Sequence, residues 1–296
     1  MIHTIQSDTG ALKVDISSVG AELCSIYSNQ TDREYLWQGD PAWWSGRAPI
    51  LFPIVGSVKD GVYAYNAKNY SLPKHGFVRG ARFTAAEASI SKIVLEYSSN
   101  EETYKLYPFA FLFQAIFELT DNTLSITYRV KNLNNFSMYF SLGSHEAYCC
   151  PREDGEAFDD YYLEFEKNGT YISETVTNNG LISGEIYTVI ENGKTIPLKY
   201  DLFANDALIF KNVISNRIFL KSTKTAAFVE IYYQDAPHLG IWTKIGAPFI
   251  CIEPWYGMPD DDGHDGSIEN KYGIITLDAH SDFAWTHTIT IHENLE

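Results

Sequence analysis

The sequence predicts an all-β fold, on three observations. Short apolar runs with two-residue periodicity recur from end to end, and turn residues punctuate them every ten or so positions. No segment carries a 3.6-residue apolar stripe long enough for a substantial helix. The chain is 45% apolar, with 20 Tyr and 17 Phe, and aromatic side chains pack well on a pleated surface. Aromatic rings also suit sugar binding, by packing on a pyranose C–H face, although core packing is their commoner use.

Taken in order, strands are expected at 93–97, 112–120 and 123–133. The last two form a hairpin about Asp121-Asn122, with Leu124, Ile126, Tyr128 and Val130 on one face. Further strands are expected at 161–165, 207–210, 217–221, 227–233, 240–243, 249–253, 273–277 and 286–292. Asp60-Gly61 and Asn192-Gly193 read as tight turns. No linker, low-complexity tract or repeat divides the chain, so one large antiparallel β-sandwich or barrel domain over residues 1–296 is expected.

Charge and composition narrow the function classes. A net charge of −16 repels nucleic-acid backbones and anionic membranes, yet a local arginine can still hold a small phosphorylated substrate. The N-terminal MIHTIQSDTG lacks the basic and apolar regions of a secretory signal, and the most apolar stretch, 107–117, is too short to span a bilayer. Cys24, Cys149, Cys150 and Cys251 show no C-x-x-C spacing and are expected as buried free thiols, which points to a cytoplasmic location.

Sequence signals for nucleotide cofactors, serine hydrolases and zincins are missing: there is no G-x-G-x-x-G, P-loop, G-x-S-x-G or H-E-x-x-H. The loop 259–269 puts Asp260, Asp262, Gly263 and Glu269 in register with part of a calcium loop. Its first ligand position is Met258 and flanking helices are missing, so a solvated acidic turn is expected and no metal.

Four segments set polar residues against apolar strand-like sequence. In WWSGRAPILFPIVG (43–56), Arg47 needs either a salt-bridge partner or a cavity, because an unpaired buried charge is costly. In PKHGFVRG (73–80), His75 is either a surface loop residue or part of a site. In SLGSHEAY (141–148), His145 follows an alternating strand and is either a satisfied structural histidine or a functional one. In FICIEPWYG (249–257), Glu253 ends a hydrophobic strand beside two aromatics. Partial burial would raise its pKa, as suits a general base near neutrality; a buried salt-bridged glutamate is the alternative.

Together and in order, these segments resemble the aldose 1-epimerase (galactose mutarotase) family, particularly its LacX-like branch. The likeness runs from GAELCSI through WQGDPAWWSGRAPILFPIVG, HGFVR, YPFAFLFQAIFEL, TLSITYRVKN, SLGSHEAY and CIEPWYGMPD to KYGIITLDAHSDFAWTHTITI. It implies a supersandwich of large antiparallel sheets with sugar in an open groove. It also implies Glu253 as general base, His145 as general acid, His75 as a second active-site histidine and Arg47 as a substrate-contacting arginine. The family's hydroxyl-binding aspartate is matched by Asp206 in FANDALIF, a divergent motif. Anomer interconversion needs the C1 hydroxyl deprotonated while the ring oxygen is protonated, so an acid–base pair suffices and no cofactor is implied. The partner is an aldose sugar, free or phosphorylated, and Lys74, Arg79 and Arg82 are either solvated charges or basic residues available to a phosphate. The sequence departs from hexose-specific members at Ser144-His145, where Asn-His is usual. Two other readings compete. A non-catalytic sugar-binding protein would keep the groove without needing both Glu253 and His145. A glycoside hydrolase or lyase would want a second carboxylate, with Asp206 or Glu146 as candidates.

Overall fold

A computed structural model describes residues 1–293 of the chain; the last three residues of the 1–296 span lie outside it. Nearly all its regular structure is strand, and among the described residues the only α-helix is the short Glu101–Leu106. That helix is set locally: Asn100 Oδ1 accepts from the backbone N–H groups of Glu102 and Thr103, and Thr103 returns a bond to Asn100.

Strands Ile2–Gln6, Leu12–Ser17, Leu23–Ser28 and Arg33–Glu34 form an antiparallel N-terminal sheet. In the second of these, Leu12, Val14 and Ile16 are buried while Lys13, Asp15 and Ser17 are half-exposed, the alternation of a one-sided sheet. A second, 14-stranded sheet starts at Leu142–Gly143 and runs through Phe249–Tyr256, His238–Trp242, Leu208–Phe210 and Tyr161–Val176. It continues through Arg217–Ser222, Phe228–Tyr232, Asp282–His292, Thr123–Asn132, Phe111–Thr120 and Lys92–Ser98 to Thr84–Ala88. Glu146–Cys149 also pairs with Phe249–Tyr256, and Ile182–Pro197 pairs with Tyr161–Val176. The sheet curls on itself, since Tyr256 packs against Phe283 and Trp285 of a strand remote in the hydrogen-bonded order (centroids 5.2 and 5.6 Å). One connected core of buried apolar residues from Ile5 to Ile291 fills the interior.

The hairpin about Asp121-Asn122 forms as the alternation predicts, with Thr123 opposite Thr120 and Asp121 at φ 50°. Two expectations are corrected. The 161–165 strand is only the start of Tyr161–Val176, which forms a long hairpin with Ile182–Pro197. The returning strand is exposed at most of its positions, so it carries no apolar alternation to read. Asn192-Gly193 is accordingly not a hairpin turn. It lies inside that strand at a register shift, with Gly169 opposite Gly193 and Tyr171 opposite Ile190, a bulge that the left-handed Asn192 (φ 49°) permits.

Candidate active site

The chemistry gathers where a strand is broken. Leu142–Gly143 and Glu146–Cys149 both pair with Phe249–Tyr256, and the gap between them holds Ser144 and His145. Opposite the gap is Pro254, which has no N–H to donate to a ladder and so fits beside an interrupted partner. Its carbonyl still accepts from Ser144 N at 3.2 Å. Released from regular pairing, His145 turns beside Glu253, and His145 Nε2 lies 3.3 Å from Glu253 Oε1. Both side chains are nearly buried, His145 at 8% and Glu253 at 2% exposure.

These two form the floor of a groove with about 820 Å³ of empty space, lined by Trp44, Lys74, His75, Arg79, Asp206, Trp242, Trp255 and others. Trp44 lies over the His145 imidazole (5.0 Å, 30°), and Trp242 meets it edge-on (6.2 Å, 74°). Two-residue periodicity separates the aromatics after Glu253. Trp255 joins Glu253 in the groove, whereas Tyr256 faces the core. Its indole fits flat because Gly240 and Gly143 lie beneath it; a Cβ at either would come within 2.4 or 2.7 Å of the ring.

His75 stands perpendicular to His145, with ring centroids 5.6 Å apart. Its backbone is left-handed (φ 67°), and the following Gly76 is left-handed too, with no room for a Cβ against Phe52 O. The N–H of Gly56 donates to His75 Nδ1 at 3.1 Å, which assigns the remaining ring proton to Nε2. Burial, then the neighbouring His145, Lys74 and Arg79, hold this imidazole well below the usual histidine range. His75 is therefore a neutral N–H donor.

Burial also sets the proton inventory of the central pair. It pushes the Glu253 carboxyl well up, with Glu146 and Asp206 adding to the rise; Lys74 and the Trp255 indole N–H oppose it. Trp255 Nε1 does not itself reach hydrogen-bond geometry with the carboxyl. Burial takes His145 down to about 3, with Lys74 and Arg79 acting in the same direction. Each group resists charge, so a single proton bound by the pair is favoured on the carboxyl over the imidazole. Moving it to the imidazole gives the carboxylate–imidazolium form without changing the pair's total charge.

The donor atoms of His145, Cys251 and Glu253 lie within 4.8 Å of one another. Cys251 faces a packed cluster with Trp37, Ala147 and Phe249, and burial pushes its thiol well up, whereas a metal binds the thiolate. This favours a packed thiol over a metal ligand.

Four of the five residues singled out in the sequence line the groove: Glu253, His145, His75 and Asp206. Asp206 sits exposed at the rim in a left-handed conformation (φ 80°), its Oδ1 accepting from Ala207 N at 2.9 Å. Arg47 does not join them. Its backbone N–H donates to Glu22 Oε1, and its guanidinium reaches the Cys24 carbonyl (3.4 Å) and lies beside Gly39. Lys74 and Arg79 line the groove, whereas Arg82 bridges to Val19 away from it. Sequence reasoning missed Trp242, whose strand was legible while its facing side was not. All four cysteines are free; Cys24, Cys150 and Cys251 are buried and Cys149 is partly exposed. Asp260 is not a solvated turn residue. It is buried, with Lys271 Nζ at 2.6 Å and the N–H of Lys59 at 2.9 Å.

The sequence model of the family described as aldose 1-epimerase matches residues 1–262. The chain belongs to the aldose 1-epimerase family. It is 32% identical over 277 residues to the chromosomal protein LacX of Lactococcus lactis, covering 90% of this chain and 92% of that one. In three dimensions it resembles a galactose mutarotase related enzyme from Lactobacillus acidophilus, with a TM-score of 0.95, 34% identity, and 100% and 99% of the two chains covered. A galactose mutarotase-like protein from Lactobacillus casei is also similar, with a TM-score of 0.92, 31% identity, and 99% and 100% covered. The expected galactose-mutarotase-like all-β architecture is thus the one found. No helix among the described residues is long and apolar enough to cross a membrane.

Proposed function

We propose that this family member is a cofactor-independent aldose 1-epimerase of the cytoplasm, a single domain that interconverts the α and β anomers of a free or phosphorylated aldose. The observation that carries this reading is the 3.3 Å contact between the buried Glu253 carboxyl and the His145 imidazole on the floor of an aromatic-walled groove.

Sugar hydroxyls entering the groove supply hydrogen bonds that an empty, buried pair lacks, and so favour the carboxylate–imidazolium form. Glu253 then takes the proton of the C1 hydroxyl while His145 protonates the ring oxygen. The C1–O5 bond breaks and the open aldehyde forms. After the C1–C2 bond rotates, attack on the other carbonyl face closes the opposite anomer, with the two groups exchanging roles. His75, a neutral donor at Nε2, bonds a sugar oxygen, and Asp206 accepts from hydroxyls at the rim. Arg47 acts through the loop that carries Trp44. The cations Lys74 and Arg79 both line the groove and neither forms an ion pair among the described residues, which favours a phosphorylated aldose over a neutral one.

For a hydrolase, Glu146 is ruled out as the second carboxylate because it lies on the far side of the sheet, bonded to His287. Asp206, by contrast, lines the groove with Glu253. Release of reducing ends from an oligosaccharide is the outcome that would favour that reading. The test is the relaxation of fresh α-glucose, α-galactose and α-glucose 6-phosphate, followed by NMR for the wild type and Glu253→Gln. Acceleration lost in the variant supports the reading. Equal acceleration by both proteins removes Glu253 as base, and no acceleration with any of the sugars favours a binding protein.

A further inference from the structure

Behind the acid–base pair, on the core side of the same sheet, lies a second carboxylate–imidazole pair that the mechanism leaves unused. Glu146 and His287 are 1% and 0% exposed, with His287 Nε2 3.1 Å from Glu146 Oε1. Glu146 Oε2 and His287 Nδ1 have no other hydrogen-bond partner among the described residues. The imidazole is stacked on Trp285 (4.7 Å, 20°), which fixes its plane. Glu146 directly follows His145 and opens the strand after the break, and its Cα is paired with Ile252, the residue before Glu253. Successive side chains alternate faces, so His145 and Glu253 enter the groove while Glu146 points into the core just behind them.

We propose that Glu146 is a positioning residue for the acid–base pair: held by its hydrogen bond with His287, it fixes the strand break that presents His145 and places a negative charge behind Glu253. This rests on the reading of Glu253 and His145 as the working pair. Glu253 faces His145, Lys74, Asp206, Cys251 and the Trp255 indole, and Glu146 faces His287, Tyr128 and Tyr148. Glu146 is a negative neighbour of Glu253 that no substrate can displace.

Glu146→Gln keeps the shape and leaves a carbonyl to accept from His287 while removing the charge. The Glu253 carboxyl carbon, assigned by its disappearance in Glu253→Gln, is followed against pH by carbon-13 NMR. Its midpoint is expected to fall by about one pH unit, the scale for unit charges on neighbouring strands at an effective dielectric near ~20. An unchanged midpoint overturns the proposal. A lower Tm with an unchanged midpoint does so too, since the pair is then only structural. Should Glu146→Gln not fold, the apolar double variant Glu146→Leu/His287→Phe is expected to show the same fall, and an unmoved midpoint there is equally fatal. The NMR titration needs no turnover, so a wild type without anomer exchange would count against the mutarotase reading and leave this test intact.

Discussion

Gly240 lies directly beneath the indole of Trp255: a Cβ on Gly240 would sit 2.4 Å from Cζ2. Gly240 is also the Cα partner of Glu253, so one backbone position sets both the groove's aromatic wall and its carboxylate. Gly240→Ala should tilt the indole and cost about 1–3 kcal/mol of stability, the usual range for overpacking a filled site. Urea denaturation measures that cost. A fall in kcat/KM for anomer exchange should accompany it.

The hydrogen bond from Gly56 N–H to His75 Nδ1 leads to a prediction about protonation. Because burial holds His75 well below the usual histidine range, its ring should stay neutral and protonated at Nε2 through the pH range in which a free histidine titrates. Nitrogen-15 NMR of the imidazole reads this directly. His75→Ala should lower kcat/KM by about 100-fold through loss of a preorganised donor.

His145 should make stability depend on pH. Its folded pKa, about 3, lies below the unfolded value of 6.5, so the unfolded chain takes up the proton first. The stabilisation is complete above about pH 6.5 and lost as pH falls towards 3. His145→Asn should therefore flatten the decline in unfolding free energy between those limits. Part of the slope should persist, because burial holds His238 down to about 4 with the same sign.

Lys271 and Asp260 form an ion pair at 2.6 Å with both side chains buried. Asp260 also joins Ser57 to the hairpin tip: its N–H donates to Ser57 O, and its carbonyl accepts from Ile182 N. Removing one partner leaves a buried charge uncompensated, so Lys271→Met should cost about 3–5 kcal/mol. The replacement of both by apolar residues should cost much less. Chemical denaturation of the single and double variants separates these outcomes.

The sequence by itself determined the strands whose two faces meet different surroundings. Thr123–Asn132 alternates because one face meets the core and the other is half-exposed, and that contrast is written residue by residue. The same local logic singled out Glu253, a carboxyl ending an apolar strand. Where both faces meet solvent, as along much of Ile182–Pro197, alternation has no physical cause and the long hairpin went unread. The candidate site itself was decided by tertiary structure. His145 meets Glu253 only because their strands are paired across the Pro254 break, and Trp242 enters from a third strand. Arg47 shows the limit from the other side: local sequence demands a partner for its charge, but only packing decides that the guanidinium turns to the Cys24 carbonyl instead of the groove. Glu146 was equally ambiguous, since adjacency to His145 cannot say which face of the sheet it takes. Sequence sets what each residue needs, and the register of distant strands determines which neighbour meets that need.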